Sequence, residues 1–487
     1  MSNTNTTTVT PIPIKPRSIK IDGVTYDVTN FDHPGGSIIG YAGVNGHDAG
    51  NTFREFHARS RVANRFLASL PRMDEVDVDV DVDAELVENA ENAENAENAE
   101  NITTYDATPI NDEIQQDYLN MRAKLVDLGC FEPDHIHVYF RLMEIAFFFG
   151  LGVWLAPYNI YASMFAFLMF KTRCGWVQHE GGHLSLTGNK TVDRGIQTVT
   201  MGLAGGMSST LWNTMHHKHH ATPQKVKYDI DLDTTPAVAF FKTAFEENTN
   251  GRVASRYMNR WWMRFQSWLF LPVVNGVIVH GFWTYYLHPK RVITAIRAAP
   301  TLKKKWMHVG EAMSMLSCHI ILPWIFYARA GYSPLAAYAM LVLCNFWNVI
   351  YLFGHFSLSH TFTDVVPETA NPRWYEYAIG HSVNISTNSA LVTWIMGYLN
   401  FQIEHHLFPS MPQYKNALAS RHVREFCSKW DGIGDNDKLA LKLKYREYGY
   451  WDAWRKMFAN LTDVGQHYFE NGISLNSSDA TNSKKTM

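Results

Sequence analysis

Cysteine is scarce in this chain. There are five among 487 residues (Cys130, Cys174, Cys318, Cys344, Cys427), and no two form a CxxC pair. That argues against a disulfide framework and leaves the redox compartment open. A dominant charge is also missing: 43 Lys and Arg stand against 46 Asp and Glu, a net −3, so nothing points to nucleic acid. Met1 to Lys15 is rich in Thr, Asn and Pro and lacks the apolar core of a signal peptide. The N-terminal part is therefore expected to stay cytosolic. Residues 74–101 contain no Lys, Arg, aromatic, Gly or Pro. Their Asp-Val alternation and Glu-Asn-Ala triplets read as a solvated, self-repelling spacer.

What is present is apolar and aromatic. Mean hydropathy is slightly negative, yet the apolar residues gather in the middle of the chain. Aromatics make up 14%, which suits a protein with much membrane–water interface. The expected organisation is a small globular domain at 17–72, an acidic linker at 73–111, a membrane domain at 112–472 and a disordered tail at 473–487. Apolar stretches at 138–156 and 160–170, extending as far as Val177, flank the turn Pro157-Tyr158-Asn159. A second pair runs over 309–328 and 335–353. A crossing helix needs about 20 residues, so the pairs predict two helical hairpins, about four transmembrane helices in all.

Three histidine clusters lie near these runs: His179-Glu180-Gly181-Gly182-His183, His216-His217-Lys218-His219-His220, and Gln402-Ile403-Glu404-His405-His406. Imidazole is the commonest metal ligand at neutral pH. His179 and His183 share a helical face, as do His216, His219 and His220, while His217 points elsewhere. A structural zinc takes four ligands, so the surplus predicts two ions, with zinc, copper, iron or nickel all open to imidazole. His360 follows the last apolar helix and is placed to join them. His355, one turn earlier, is a weaker candidate. Asn384 is a candidate through water, and His381 less so. Asp229, Asp231, Asp233, Glu180 and Glu404 suit roles behind the ligands, fixing imidazole tautomers. Box one also spells HExxH, the zinc protease signature. A protease, however, leaves the other two clusters unexplained.

All three clusters must meet on one side of the membrane. Both hairpins return the chain to its starting side. The remaining apolar stretch, Trp268–Leu287, is therefore read as interfacial or re-entrant. Lys290, Arg291, Arg297, Lys303, Lys304 and Lys305 follow it, as expected of a cytoplasmic loop.

Near the N-terminus, Phe31-Asp32-His33-Pro34-Gly35-Gly36 is followed by Phe53-Arg54-Glu55-Phe56-His57. His33 and His57 are candidate axial ligands for a b-type haem. With Tyr26-Asp27-Val28 upstream, the segment resembles cytochrome b5.

Taken together, the chain resembles the membrane-bound fatty acid desaturases, most of all the cytochrome b5-fused front-end branch. Its boxes HxxxH, HxxHH and QxxHH match His179/His183, His216/His219/His220 and Gln402/His405/His406. Cys174-Gly175-Trp176-Val177-Gln178 and His220-Ala221-Thr222-Pro223-Gln224-Lys225 are similar to algal-type Δ6 acyl-CoA desaturases. Asn384-Ile385-Ser386 and Asn400-Phe401-Gln402 also resemble Δ5 relatives. His217, where the family often has Asn, and the long linker depart from the pattern.

The resemblance implies a multi-domain protein. A small α+β cytochrome b5-like haem domain precedes an all-α membrane desaturase domain with a cytosolic histidine-rich cap. It implies two non-haem Fe ions, held by His179, His183, His216, His219, His220, His360, Gln402, His405 and His406, with Asn384 less firmly placed. It also implies haem b on His33 and His57, O₂, electrons from an NAD(P)H-cytochrome b5 reductase, and residence in the endoplasmic reticulum membrane. The implied reaction is Δ6 desaturation of linoleoyl- or α-linolenoyl-CoA. Alternatives are a Δ5 or Δ8 front-end acyl desaturase, a sphingoid long-chain-base desaturase, an acyl hydroxylase, and a haem membrane protein that only transfers electrons.

Overall fold

Ser18–Ile21 (β1) and Val24–Asp27 (β2) pair antiparallel, with Ile21 opposite Val24. Asp22 and Gly23 make the turn with φ of 49° and 81°, a conformation Asp and Gly tolerate best. The computed structural model describes residues 18–33, 35, 38–42, 48–58, 60–73, 109–248, 251–432 and 443–473. The acidic spacer and the C-terminal tail lie outside the described residues, apart from their edges.

Helix Gly50–Phe56 (α1) docks on helix Pro109–Asp127 (α2). Glu55 is fully buried and accepts from Arg122 Nε at 2.5 Å and from Tyr118 Oη at 3.3 Å. Asn51 and Gln115 exchange amide hydrogen bonds at 2.9 and 3.1 Å. The Phe56 ring packs 5.9 Å from Trp374. This corrects the expectation of a tethered cytochrome b5 unit: among the described residues no distinct domain of that kind is evident. The physical reason is that the segment's buried carboxylate and its aromatic find their partners on the main body. Arg122→Ala leaves that carboxylate buried without its cation, which costs about 3–5 kcal/mol. Limited proteolysis of the full chain is expected to cut the N-terminal segment faster in this variant.

The membrane helices follow. Asp134 and Asn159 cap His135–Leu155 (α3) and Ile160–Gly182 (α4) by accepting from Ile136 N and Ala162 N. Lys190–Gly205 (α5) and Ser209–Ala221 (α6) carry the chain over the end of this hairpin. Gln266–Ala298 (α7), Leu302–Ala330 (α8) and Pro334–Ser357 (α9) come next. Among the described residues four helices are long and apolar enough to cross a membrane: α3, α7, α8 and α9. The chain is therefore a multi-pass membrane protein. The set differs from the four apolar stretches expected. The inner half of α4 carries Lys171 and Arg173, and the helix is buried almost throughout because α3, α5 and α9 pack around it. The expected hairpins α3/α4 and α8/α9 both form. Both ends of α7 rest on elements of the histidine-bearing cap. Its start packs on helix Tyr450–Asn471, and its end packs on α6, where His288 Nδ1 receives Ser208 N–H at 2.9 Å.

The cap is built from short helices and a two-residue parallel pairing of Asn384–Ile385 with Glu447–Tyr448. Ile403, Leu407 and Phe408 sink into a core with Tyr118, Tyr375 and Phe426. That burial fixes helix Gln402–Leu407 (α10) and aims the opposite side of the same turn, His405 and His406, at the other clusters.

Candidate metal centre

Box one ends α4, box two ends α6, and box three lies on α10. Gly181 and Gly182 let α5 and α6 approach box one. A Cβ on Gly182 would sit 2.4 Å from the Trp212 ring, and one on Gly181 2.9 Å from Asp193 O. The start of α6 is pinned by Glu311 of α8, which accepts from Ser208 Oγ at 2.7 Å and Thr210 N at 2.8 Å. A carboxylate suits a helix N-terminus.

The imidazoles form two adjoining groups. His179, His183, His216, His220 and His405 make the first, and His219, His360 and His406 the second, the ligating atoms of each lying within 4.8 Å of one another. Successive residues on a helix point about 100° apart. The two HH pairs therefore divide: His220 and His405 serve the first group, His219 and His406 the second. His216 Nε2 lies 3.0 Å from His183 Nε2 and 3.1 Å from His220 Nε2. Two nitrogens about 2.1 Å from one ion, near a right angle, lie about 3 Å apart. His405 and His406 are buried with neither ring nitrogen hydrogen-bonded. Burial holds the imidazoles of His183, His216, His220, His405 and His406 well below the usual histidine range. Neutral rings with open lone pairs are what a metal ion requires. The donor set fits two non-haem ions.

Acidic and amide groups orient the rings. His219 Nδ1 lies 3.0 Å from both Asp229 oxygens and 3.4 Å from Asp231. Burial pulls this imidazole down, but the two carboxylates outweigh it and raise it to about 9. His360 Nδ1 donates to His381 O at 3.0 Å, and Gln402 Nε2 lies 3.1 Å from His360 Nε2. Gln402 thus stands beside the second group. Gln413, which no sequence motif flagged, meets His179 Nδ1 at 2.5 Å and gives its backbone N–H to Glu180 at 3.0 Å.

Other expected residues do other work. Asn384 donates to Glu404 at 2.7 Å and accepts from Ile403 N at 2.9 Å, so its amide braces box three. Glu404 meets no imidazole in these bonds. Burial raises its carboxyl to about 7, against hydrogen bonds from Asn384 and Tyr445. His217 reaches Gly182 O at 3.3 Å and packs 5.5 Å from Phe56. His355 bonds Tyr351 O at 2.7 Å and Tyr450 Oη at 3.0 Å. His381 Nδ1 lies 2.7 Å from Asp364 O. His217, His355, His381 and Asp233 belong to neither imidazole group. His33 and His57 belong to neither group, and their ring centres lie 6.0 Å apart. The protease reading of HExxH fails because box one shares its group with boxes two and three.

Comparison with known proteins places this arrangement. Residues 139–433 match the fatty acid desaturase family. An acyl-lipid (8-3)-desaturase of Thraustochytrium sp is 36% identical over 93% of this chain and 93% of its own length. One of Rebecca salina is 34% identical over 93% of each. The Delta(8)-fatty-acid desaturase 1 of Arabidopsis thaliana is 27% identical over 70% of this chain and 73% of its own. These relatives overturn the expected likeness to Δ6 enzymes, since their names are of the (8-3) and Delta(8) kind. The misreading has a physical cause. The boxes report the metal ligands, whereas bond position depends on how the pocket holds the chain.

Proposed function

Since this chain belongs to the fatty acid desaturase family, we propose that it is a front-end acyl desaturase of the Δ5 or Δ8 type. Family and site together make it an O₂-dependent membrane desaturase of the di-iron type, acting on fatty acyl chains. The observation that carries this is the division of each HH pair between two imidazole groups. Bound iron supplies the O₂-dependent removal of two hydrogens from adjacent methylenes. The protein's part is to hold the rings of His183, His216, His220, His405 and His406 neutral, to orient His219 through Asp229 and His179 through Gln413, and to exclude water by burial. The residues proposed to hold the ions are His179, His183, His216, His220 and His405 for one, and His219, His360 and His406 for the other, with Gln402 beside the second.

The names of the relatives support the regiochemistry. The test is expression in yeast fed 20-carbon acids unsaturated at Δ8,11,14 or at Δ11,14, with double bonds located by mass spectrometry. A new bond at Δ5 in the first or Δ8 in the second is expected. New bonds only in ceramides would overturn the reading.

Topology follows from the shared side of the three boxes. We place the crossings in the hairpins α3/α4 and α8/α9, within a membrane domain at 112–472. The helix α7 then lies along the cytosolic face, in keeping with the cap contacts at both its ends. The membrane is proposed to be that of the endoplasmic reticulum, with NAD(P)H-cytochrome b5 reductase as the electron source. His33 and His57, whose ring centres lie 6.0 Å apart, are the residues proposed to hold a haem b, which would supply one-electron transfer if bound. His57 Nδ1 bonds Phe53 O at 2.9 Å, which leaves Nε2 to ligate. His33 Nδ1 takes the Gly35 N–H at 3.0 Å, so ligation through Nε2 would move the ring proton to Nδ1 and give up this bond. His33→Ala should lose the Soret absorbance and the product while keeping its non-haem iron. A wild-type chain without a Soret band would remove this route.

A further inference from the structure

One face of α3 carries polar atoms that nothing among the described residues satisfies. Arg141 is 3% exposed, and none of its three guanidinium nitrogens has a hydrogen-bond partner. His137, one turn earlier, leaves Nε2 without a partner. Residues i and i+4 share a helical face. The Arg141 guanidinium lies 5.6 Å from the centre of the Tyr398 ring. His137 packs 5.5 Å from Tyr398 and 4.1 Å from Tyr414. Glu180, the residue after His179, is within electrostatic reach of Arg141. It forms no ion pair with Arg141; its Oε1 takes the Gln413 N–H and its Oε2 has no hydrogen-bond partner among the described residues.

Arg173, on the facing helix α4, makes the contrast. It is 1% exposed, donates to Trp394 O at 2.6 Å, stacks 4.2 Å over the Trp394 ring and has Glu144 at 3.9 Å. Arg173 thus has one nitrogen bonded, with Nε and Nη2 open, and a carboxylate within 4 Å, whereas none of Arg141's nitrogens is bonded and no carboxylate among the described residues pairs with it. Burying a guanidinium without hydrogen bonds costs several kcal/mol, and an ionisable residue at membrane depth whose donors no protein oxygen takes up points to a ligand. A guanidinium has donors only, arranged as a planar fork suited to carbonyl, ester or carboxylate oxygens. Arg141 lies about 9 Å along the axis from His135 at the start of α3. That end of the hairpin is the one carrying box one. An acyl chain has its oxygens at one end only, so the group that meets Arg141 is the acyl head.

We propose that Arg141 binds the carbonyl oxygen of the acyl head, with His137 beside it, and thereby sets the distance from the carboxyl end to the metal groups. This rests on the front-end reading above, in which position is counted from that end. Arg141 is thus a substrate-binding residue that fixes which methylenes face the imidazoles.

The test uses the full chain in lipid nanodiscs. Binding of an acyl-ester phospholipid is compared with that of its ether analogue, in which CH₂ replaces the carbonyl. A site built around a hydrogen bond rejects a ligand lacking the acceptor. Wild-type protein should prefer the ester by about tenfold or more. Arg141→Gln should lose that preference with its iron content unchanged, and Arg141→Lys should regain part of it. Competition by the phospholipid ester or by acyl-CoA thioester identifies the carrier, and competition by neither overturns the proposal. So does a wild-type chain that does not distinguish ester from ether, which requires no variant to fold. So does an Arg141→Gln protein that still distinguishes them. If front-end product forms without discrimination, the anchor falls alone. If discrimination is present but no front-end bond appears in any fed acid, the front-end reading falls and the carbonyl site remains.

Discussion

Replacing His405 with alanine is expected to abolish desaturation and to lower bound iron from two ions to about one per chain. His405 belongs to the five-imidazole group, and its ring lies 4.7 Å from that of His179, 4.8 Å from that of His183 and 4.6 Å from that of His220. The substitution deletes a donor from the middle of that set and leaves the second group intact. The site is buried, so water cannot replace the lost nitrogen without a cavity to hold it. Metal affinity is the sum of few strong bonds held in fixed geometry, so losing one empties the site. Iron measured by plasma mass spectrometry, alongside fatty acid analysis, checks both halves. Full iron with no product would mean that His405 acts on the substrate and not on the metal.

The second large effect is expected at a residue that touches no metal. Asp229→Asn should weaken iron binding at the second group by about 10- to 100-fold and lower product accordingly. Both Asp229 oxygens lie 3.0 Å from His219 Nδ1, and Oδ2 also accepts from Gln224 N at 2.7 Å. The carboxylate holds the Nδ1–H tautomer and so presents the Nε2 lone pair. An amide can turn its NH₂ toward the ring, which favours the opposite tautomer. Iron titration against a competing chelator measures the loss. An unchanged affinity would show that Asp231, 3.4 Å away, suffices alone.

The imidazoles proposed as ligands were legible because their spacing is local. HxxxH and HxxHH put imidazoles on one helical face whatever the rest of the chain does. His360 was legible for a related reason: it directly follows an apolar helix that must end at the membrane surface. The supporting groups were not. Gln413 reaches His179 across 234 positions, and no local pattern marks such a contact. Asn384 was read as a ligand through water, but its amide joins Glu404 to the backbone of box three. Hydrophobic patterning found the helices α3, α8 and α9. It undercounted α4, whose Lys171 and Arg173 are masked from lipid by its neighbours. The docking of α1 was invisible, because Glu55 in a sequence reads as an exposed charge. Only the fold supplies Arg122 and Tyr118 to take it inside.

The sequence by itself determined that this is a helical membrane protein rich in clustered histidines, and it pointed to the imidazoles that the fold gathers. Those properties depend on helical periodicity and on the length of apolar runs, which are local. The tertiary structure decided how the imidazoles divide into two groups, which carboxylates orient them, and where the N-terminal segment rests. It also exposed Arg141 as a buried cation without a hydrogen-bond partner among the described residues. These depend on which distant segments pack together, and packing is a property of the assembled core that no short stretch of chain encodes.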